Sequence, residues 1–266
     1  LAAGAYLAAN LRMGALPRTG VAPEFSVRLP VPAQVLVAAG DRYLAADLAG
    51  FRVLVADTFR MSPDDYALQA GLQRDIAFLN PAHEDNYYIA AAILPWGGQL
   101  DAAQYVLKRA ADARPMDYQP LFFYGFNIFH FQRNPAEGAA ALLAAVAHTN
   151  DVQDQMALKN TAALWMERGY SVSEAAHRVE AMAKASPPGG FRKYLEVRAA
   201  RLRTLDDLRT LAKAYQAKTG RRLVEIDELV HAGLIDRVLK DPLKTGFAVA
   251  DNGEPVFADA LRRSRR

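Results

Sequence analysis

The chain contains no cysteine. Disulfides, thiol nucleophiles and cysteine-held metal ions are therefore excluded, while the compartment stays open, because exported and cytosolic proteins alike can lack cysteine. Histidine is sparse, with five in 266 residues. None of His83, His130, His148, His177 and His231 has a second histidine four positions away, and no His-Glu-x-x-His occurs, so the helical zinc signature is missing. His130 lies in an aromatic run and reads as a packed side chain rather than a ligand. Lys218-Thr219-Gly220 and Lys244-Thr245-Gly246 match one tripeptide of penicillin-binding enzymes. That chemistry also needs a Ser-x-x-Lys nucleophile, which does not occur, so both matches are coincidental. Phosphate loops, dinucleotide glycine patterns and nucleophile elbows are absent as well. No carboxylate falls in a recognisable acid–base setting. These absences predict a protein that is not an enzyme, with no catalytic residue, no cofactor and no metal site.

Long apolar runs are also missing. Leu1 to Ala9 is uncharged and apolar, but far shorter than the roughly 20 residues that span a bilayer. Residues 1–13 are expected to be an apolar N-terminal helix packed on the rest of the chain or the end of a membrane anchor, with Tyr6 and Arg12 at the interface. Residues 14–32, with Gly14, Pro17, Gly20, Pro23, Pro30 and Pro32, are expected to form an extended linker.

What the chain does have is alanine, within a 52% hydrophobic composition that suits closely packed helices. Tyr87, Ala90, Ala91, Leu94, Gly98, Ala103, Leu107, Ala110 and Pro115 outline a helix–turn–helix unit. Pro81 and Pro115 are 34 residues apart, and the same step leads to Leu121, Tyr124, Gly125 and Ile128. A second helix follows after a one-residue slip, with Gly138, Leu142 and Ala145. Asn134-Pro135-Ala136-Glu137 starts it: a capping Asn, Pro at the first helical position and an acid three residues after the cap. Pro95 is expected to end the first helix early and leave Trp96-Gly97-Gly98 in the turn.

This pattern resembles the tetratricopeptide-repeat family. The resemblance implies a mainly α fold, a TPR-like α-solenoid of helix hairpins. In such a fold, small residues let paired helices approach, and neighbours stack to bury the stripe that one pair cannot bury alone. Flanking segments fit more loosely. They are Leu36, Gly40, Tyr43 and Pro63 on one side, and Val152–Ala185 on the other, with a break at Gly169 and a capping box at Ser171-Val172-Ser173-Glu174. Ser62-Pro63-Asp64-Asp65 starts a further helix carrying Tyr66, Leu68, Leu72, Ile76 and Leu79. The repeat domain is expected over residues 33–186.

Pro187-Pro188-Gly189-Gly190 then breaks the pattern. Residues 191–218 are expected as one bent helix or two, with Thr204-Leu205-Asp206-Asp207 as a restart. A short helix Glu225–His231 stopped by Gly233, an Asp241-Pro242 turn and a small hairpin follow. Phe247–Ala250 and Pro255–Phe257 would pair across Asp251-Asn252-Gly253, where Asn-Gly favours a tight turn. From Tyr215 to Phe257 this order resembles the C-terminal part of bacterial pseudopilins, without the long apolar helix that begins a pilin. That resemblance implies an exported or envelope setting. C-terminal helices and hairpin are thus assigned to 187–258, and a basic tail to 259–266.

Two surfaces stand out. In the repeat register, Asp85, Tyr88, Ala92, Gln119, Phe122, Phe126 and Phe129 occupy groove-facing positions. Family members that clamp a peptide carboxylate carry Lys and Asn there, and this chain does not. Such an apolar groove suits an amphipathic helix or a membrane protein's helix, or is filled by the chain's own terminal segment. The second surface is the basic stripe Arg192–Arg222, on which Arg192, Lys193, Arg198, Arg201 and Arg209 would meet phosphate or anionic lipid, or form a solvated helix face.

The expected function is a non-enzymatic scaffold with protein partners. It would serve the assembly or support of a bacterial membrane or envelope complex such as a pilus, secretion or respiratory assembly. The periplasmic side is the expected location, and the cytoplasm stays open. The alternative is a soluble repeat domain that binds nucleic acid or anionic lipid through Arg192–Arg222. Only Phe191, Tyr194 and Tyr215 interleave that stripe, so nucleic-acid binding by base stacking is not expected.

Overall fold

A computed structural model describes residues 27–56 and 61–264. The expected N-terminal helix or anchor, residues 14–26 of the linker and Arg265–Arg266 of the tail lie outside the described residues. The chain is mainly α, with one two-stranded antiparallel sheet. It divides into two compact units, the first ending at Tyr124 and the second beginning at Gly125. That boundary falls within the segment expected to be a single repeat domain.

The first unit contains α1 (Val31–Val37), α2 (Arg42–Leu54), α3 (Pro63–Leu79), α4 (Glu84–Ile93), α5 (Leu100–Ala113) and the start of α6 (Gln119–His130). Helix α1 begins inside the segment expected as linker. Proline is tolerated in a first helical turn, where its missing N–H would have no intrahelical partner. Asp41 caps α2 by accepting the Tyr43 and Leu44 amides at 2.8 and 3.2 Å. Ser62 and Asp65 form the reciprocal capping box that starts α3. His83 caps α4, its Nδ1 accepting the Asn86 amide at 3.4 Å. Helix α4 stops at Ile93, two residues before Pro95, and Trp96-Gly97-Gly98 form the turn, with Gly98 at φ +77°.

Two apolar clusters hold this unit. Tyr87, Ala90 and Leu94 of α4 pack with Ala102, Ala103, Val106, Leu107 and Ala110 of α5. Ala45, Ala46, Ala49 and Val53 of α2 pack with Leu72, Ile76 and Leu79 of α3. Helix α3 touches α2, α4 and α5. It also receives the incoming chain, because Arg28 binds Asp75 through two donors at 2.8 and 2.7 Å.

The second unit contains the end of α6, α7 (Pro135–Ala145), α8 (Val152–Gly169), α9 (Val172–Ala185), α10 (Gly190–Thr219), α11 (Glu228–His231), β1 (Phe247–Val249), β2 (Pro255–Phe257) and α12 (Ala258–Ser264). The cap at Asn134 forms as its sequence implied, accepting the Glu137 amide at 3.2 Å. Ser171 and Glu174 form the capping box of α9. Successive helices α7, α8, α9 and α10 touch in chain order. At the approach of α6 and α7, a Cβ on Gly125 would lie 2.7 Å from a Leu142 methyl and 3.0 Å from the Gly138 carbonyl. A Cβ on Gly138 would lie 3.0 Å from the Gly125 carbonyl in return.

Of the two alternatives for residues 191–218, one helix forms: α10 is continuous through Thr204, whose hydroxyl donates to the Ala200 carbonyl at 3.0 Å. The strands pair across Asp251-Asn252-Gly253, as expected. The Gly253 amide donates to the Ala250 carbonyl at 2.8 Å, and only Gly253 takes positive φ, so Asp251-Asn252 is the turn's centre and Gly253 the left-handed residue after it. Ala258–Ser264, which covers most of the segment expected as a basic tail, is helical and touches both strands.

Gly138→Ala should destabilise the second unit by about 1–2 kcal/mol. The cost of pushing two backbones apart exceeds the helix propensity gained. Urea denaturation of the full chain measures it, and unchanged stability would show that the approach relaxes freely.

Candidate functional site

Helix α4 buries Tyr87, Ala90 and Leu94 and leaves Asp85, Tyr88 and Ala92 exposed on its other side. The Tyr88 ring stacks on Tyr87 at 4.5 Å and meets the edge of Phe123 at 6.0 Å. Phe123 in turn meets Phe122 edge-on at 5.5 Å. Tyr88 and Phe122 are therefore joined through Phe123, a residue the register placed off the groove. It is a neighbour of Phe122 in the same aromatic run, and that was the signal for it in the sequence. It does pack partly against that core, so it serves both.

A polar joint fixes this arrangement. The Tyr87 hydroxyl donates to Asp117 at 2.7 Å. Asp117 also accepts the Gln119 amide at 3.1 Å, starting α6, and Arg114 at 2.8 Å. Arg114 reaches back to Glu84 at 2.8 Å and to the Ala82 carbonyl at 3.1 Å. Burial alone would raise the Asp117 carboxyl. Hydrogen bonds from Tyr87, Arg114 and the Gln119 amide outweigh it and hold the group below the usual carboxylate range. Burial, then the neighbouring Asp117, push the Tyr87 hydroxyl well up, so it remains a donor. The Gln119 side-chain carbonyl is buried in the same region.

Phe126 and Phe129 belong to the second unit and stack there. Phe126 lies parallel to His130 at 5.3 Å, and Phe129 lies on Trp165 of α8 at 4.4 Å with the Arg168 guanidinium 5.7 Å from its centre. His130 is thus packed among aromatic rings.

The basic stripe needs correction. Arg198 and Arg201 are only 5% and 6% exposed and are not surface groups. Their positions share the face of α10 that buries Leu195, Leu202 and Leu205. Carboxylates remote in sequence neutralise them, and this is why the chain order alone hid their burial. Arg198 pairs with Glu167 and donates to the Tyr194 hydroxyl at 2.6 Å. Burial opposes its charge, but Glu167 prevails and raises its proton affinity. Arg201 donates to Asp241 at 3.1 Å, to the Thr245 hydroxyl at 2.6 Å and to Asp259 at 3.0 Å, with its guanidinium 3.9 Å from the Phe257 ring centre. Arg209 is spent on the Pro255 carbonyl and Glu254, both at 3.1 Å. Arg192 is spent on the Ser186 carbonyl at 2.7 Å. Of the five, Lys193 is exposed.

Arg201 and Asp241 form the electrostatic centre of the C-terminal part. Besides Arg201, Asp241 accepts the Thr245 hydroxyl at 2.7 Å and the Leu243 and Gly246 amides at 2.9 and 2.8 Å. Burial would raise this carboxyl, yet those donors and the Arg201 charge hold it low. The pair joins α10 to the loop before β1 and, through Asp259, to α12. Its role is structural, since Arg201 and Asp241 bind side chains and amides of the protein itself.

Among the described residues, no group of three or more His, Asp or Glu side chains is placed to hold a metal ion. No helix among them is long and apolar enough to cross a membrane. No family model, curated protein or solved structure matches the chain.

Asp241→Asn should cost about 3–5 kcal/mol at neutral pH, because it leaves the Arg201 charge buried without its partner. A carboxyl held low in the folded state contributes stability above its unfolded value of about 3.9 and loses it as pH falls through the folded value. The gap between wild type and variant, measured by urea denaturation, should therefore shrink below about pH 4. A gap that is absent at pH 7 or constant down to pH 2 would show that the pair does not anchor this region.

Proposed function

We propose that the chain is a non-enzymatic, tetratricopeptide-like helical-repeat scaffold whose aromatic face binds a helix of a partner protein. The observation that carries this reading is the equal offset of two helix pairs. Helices α4 and α6 begin at Glu84 and Gln119, and α5 and α7 at Leu100 and Pro135, so both offsets are 35 residues. Small buried residues recur between the paired helices, at Ala90 and Ala103 in the first and Gly125 and Gly138 in the second. Repeats of this kind present surfaces rather than catalytic pockets. Tyr88, Phe122 and Phe123 supply rigid apolar anchors of the type that dominate helix-in-groove recognition.

The setting proposed is a bacterial membrane or envelope complex. The long helix, left-handed Gly220, short α11, left-handed Gly233, Asp241-Pro242 turn and hairpin follow one another in the order of a pseudopilin tail, and this supports it. The other reading, binding of nucleic acid or anionic lipid through Arg192–Arg222, retains Lys193, Lys213, Arg221 and Arg222 as exposed cations but loses Arg198 and Arg201 to internal pairs. Its mark would be an affinity that falls steeply with salt.

A photo-crosslinking residue at Tyr88 or Phe122, introduced into the chain in its host cells, should give an adduct with a membrane protein. The same residue at the exposed Lys108 of α5 should not. Equal labelling at all three positions, or no adduct from a monomer confined to the soluble fraction, would overturn the proposal.

A further inference from the structure

Helix α2 is apolar on both sides. Its inner face, Ala45, Ala46, Ala49 and Val53, is buried against α3. Opposite that face lie Leu44, Leu48 and Phe51, continued by Val55 at the helix C-cap, and these are 44, 49, 64 and 46% exposed. Tyr43 and Leu54 flank the stripe, and Leu36 and Val37 at the end of α1 stand even further into solvent, at 79 and 70%. Single exposed apolar residues need no explanation, but a contiguous face of this extent marks an interaction site. A helix that is apolar all round is buried all round.

The spacing of the stripe says what kind of neighbour fits. Leu44, Leu48, Phe51 and Val55 follow one another by four, three and four residues, the d-a-d-a order of a coiled-coil seam. Asp47 and Arg52 flank this seam on opposite sides and are five residues apart, which makes them a g and the following e position. In a parallel pair of such helices, Asp47 of each copy meets Arg52 of the other, so one two-fold axis makes both ion pairs. An antiparallel pair would instead set like charges together along each flank. The Asp47 side chain is 64% exposed, and its contact with His83 at 3.4 Å leaves it accessible. The Arg52 guanidinium donates to the Val27 carbonyl at 2.6 Å, which holds it beside the stripe. Covering the stripe and its flanking side chains would remove on the order of 800 Å² from water on each copy, the size of a stable interface. The seam is short for an isolated coiled coil, but α2 is already folded against α3, so association does not have to pay for forming the helix.

We infer that this chain forms a parallel two-fold dimer through the outer face of α2. This stands apart from the partner-binding face on α4 and α6, and neither test depends on the other. Sedimentation of the full chain should show a dimer. Asp47→Arg and Arg52→Asp should each weaken it by roughly tenfold or more, since each places two like-charge pairs across the seam. Mixing the two variants should restore a dimer, because every flank pair is then of opposite charge. Unchanged helical circular dichroism shows that both variants fold. The chain has no cysteine, so Leu48→Cys supplies a unique thiol, which should oxidise to a cross-linked dimer, whereas Lys108→Cys should not. A chain that stays monomeric up to about 0.1 mM overturns the inference. That holds whether the thiol at position 48 is shielded from maleimide in the monomer, as by the chain's own N-terminal segment, or the monomer binds lipid vesicles through this face. A dimer indifferent to both charge variants overturns it as well.

Discussion

Helices faced with alanine hold together only if their backbones come close, and the rest of this structure depends on that closeness. About half of the buried apolar side chains among the described residues are alanines. A methyl group buries little area, so stabilisation has to come from dense contact along the helix faces rather than from large side chains. Glycine appears where even alanine would not fit. Gly125 and Gly138 face each other's carbonyls, and a Cβ on Gly169 would stand 2.5 Å from the Ala136 nitrogen. Such contacts favour helices that follow one another directly in the chain, the pattern seen from α7 to α10.

Close packing of near-identical faces specifies register weakly, and polar joints supply what it lacks. Tyr87, Asp117, Arg114 and Glu84 tie the start of α4 to the start of α6. Arg201, Asp241, Thr245 and Asp259 tie the middle of α10 to the hairpin region and α12. Each joint is an ion pair held by several further hydrogen bonds. A slip of one residue would strand a buried charge, at a cost several times that of a misplaced methyl. The Arg201 joint and the Arg198–Glu167 pair also explain why the chain's cations mislead when read as a surface: two guanidiniums of the stripe are consumed inside.

Some of the apolar groups that reach the surface are gathered into two sets, among others that stand singly. One set is the aromatic face of Tyr88, Phe122 and Phe123, partly anchored in the core and partly open. The other is the outer stripe of α2.

Helix limits were legible in the sequence wherever local chemistry sets them. Ser62, Asn134 and Ser171 start helices because their side chains satisfy amides within three residues. Pro95 marks the end of α4 because it cannot continue a helix hydrogen-bond ladder. The hairpin and the stop of the short helix at left-handed Gly233 followed from the same short-range rules. The fate of the long polar side chains was not legible. Whether Arg198 and Arg201 face water or lie buried depends on Glu167, Asp241 and Asp259, which are up to 58 residues away. Likewise Phe123 joins the aromatic face, and Phe129 finds Trp165, only through the packing of separate helices. Hydrogen bonds to neighbouring amides are settled within a turn of the chain. Charge burial and ring contacts are settled by which distant segment arrives opposite, and that is a property of the folded molecule.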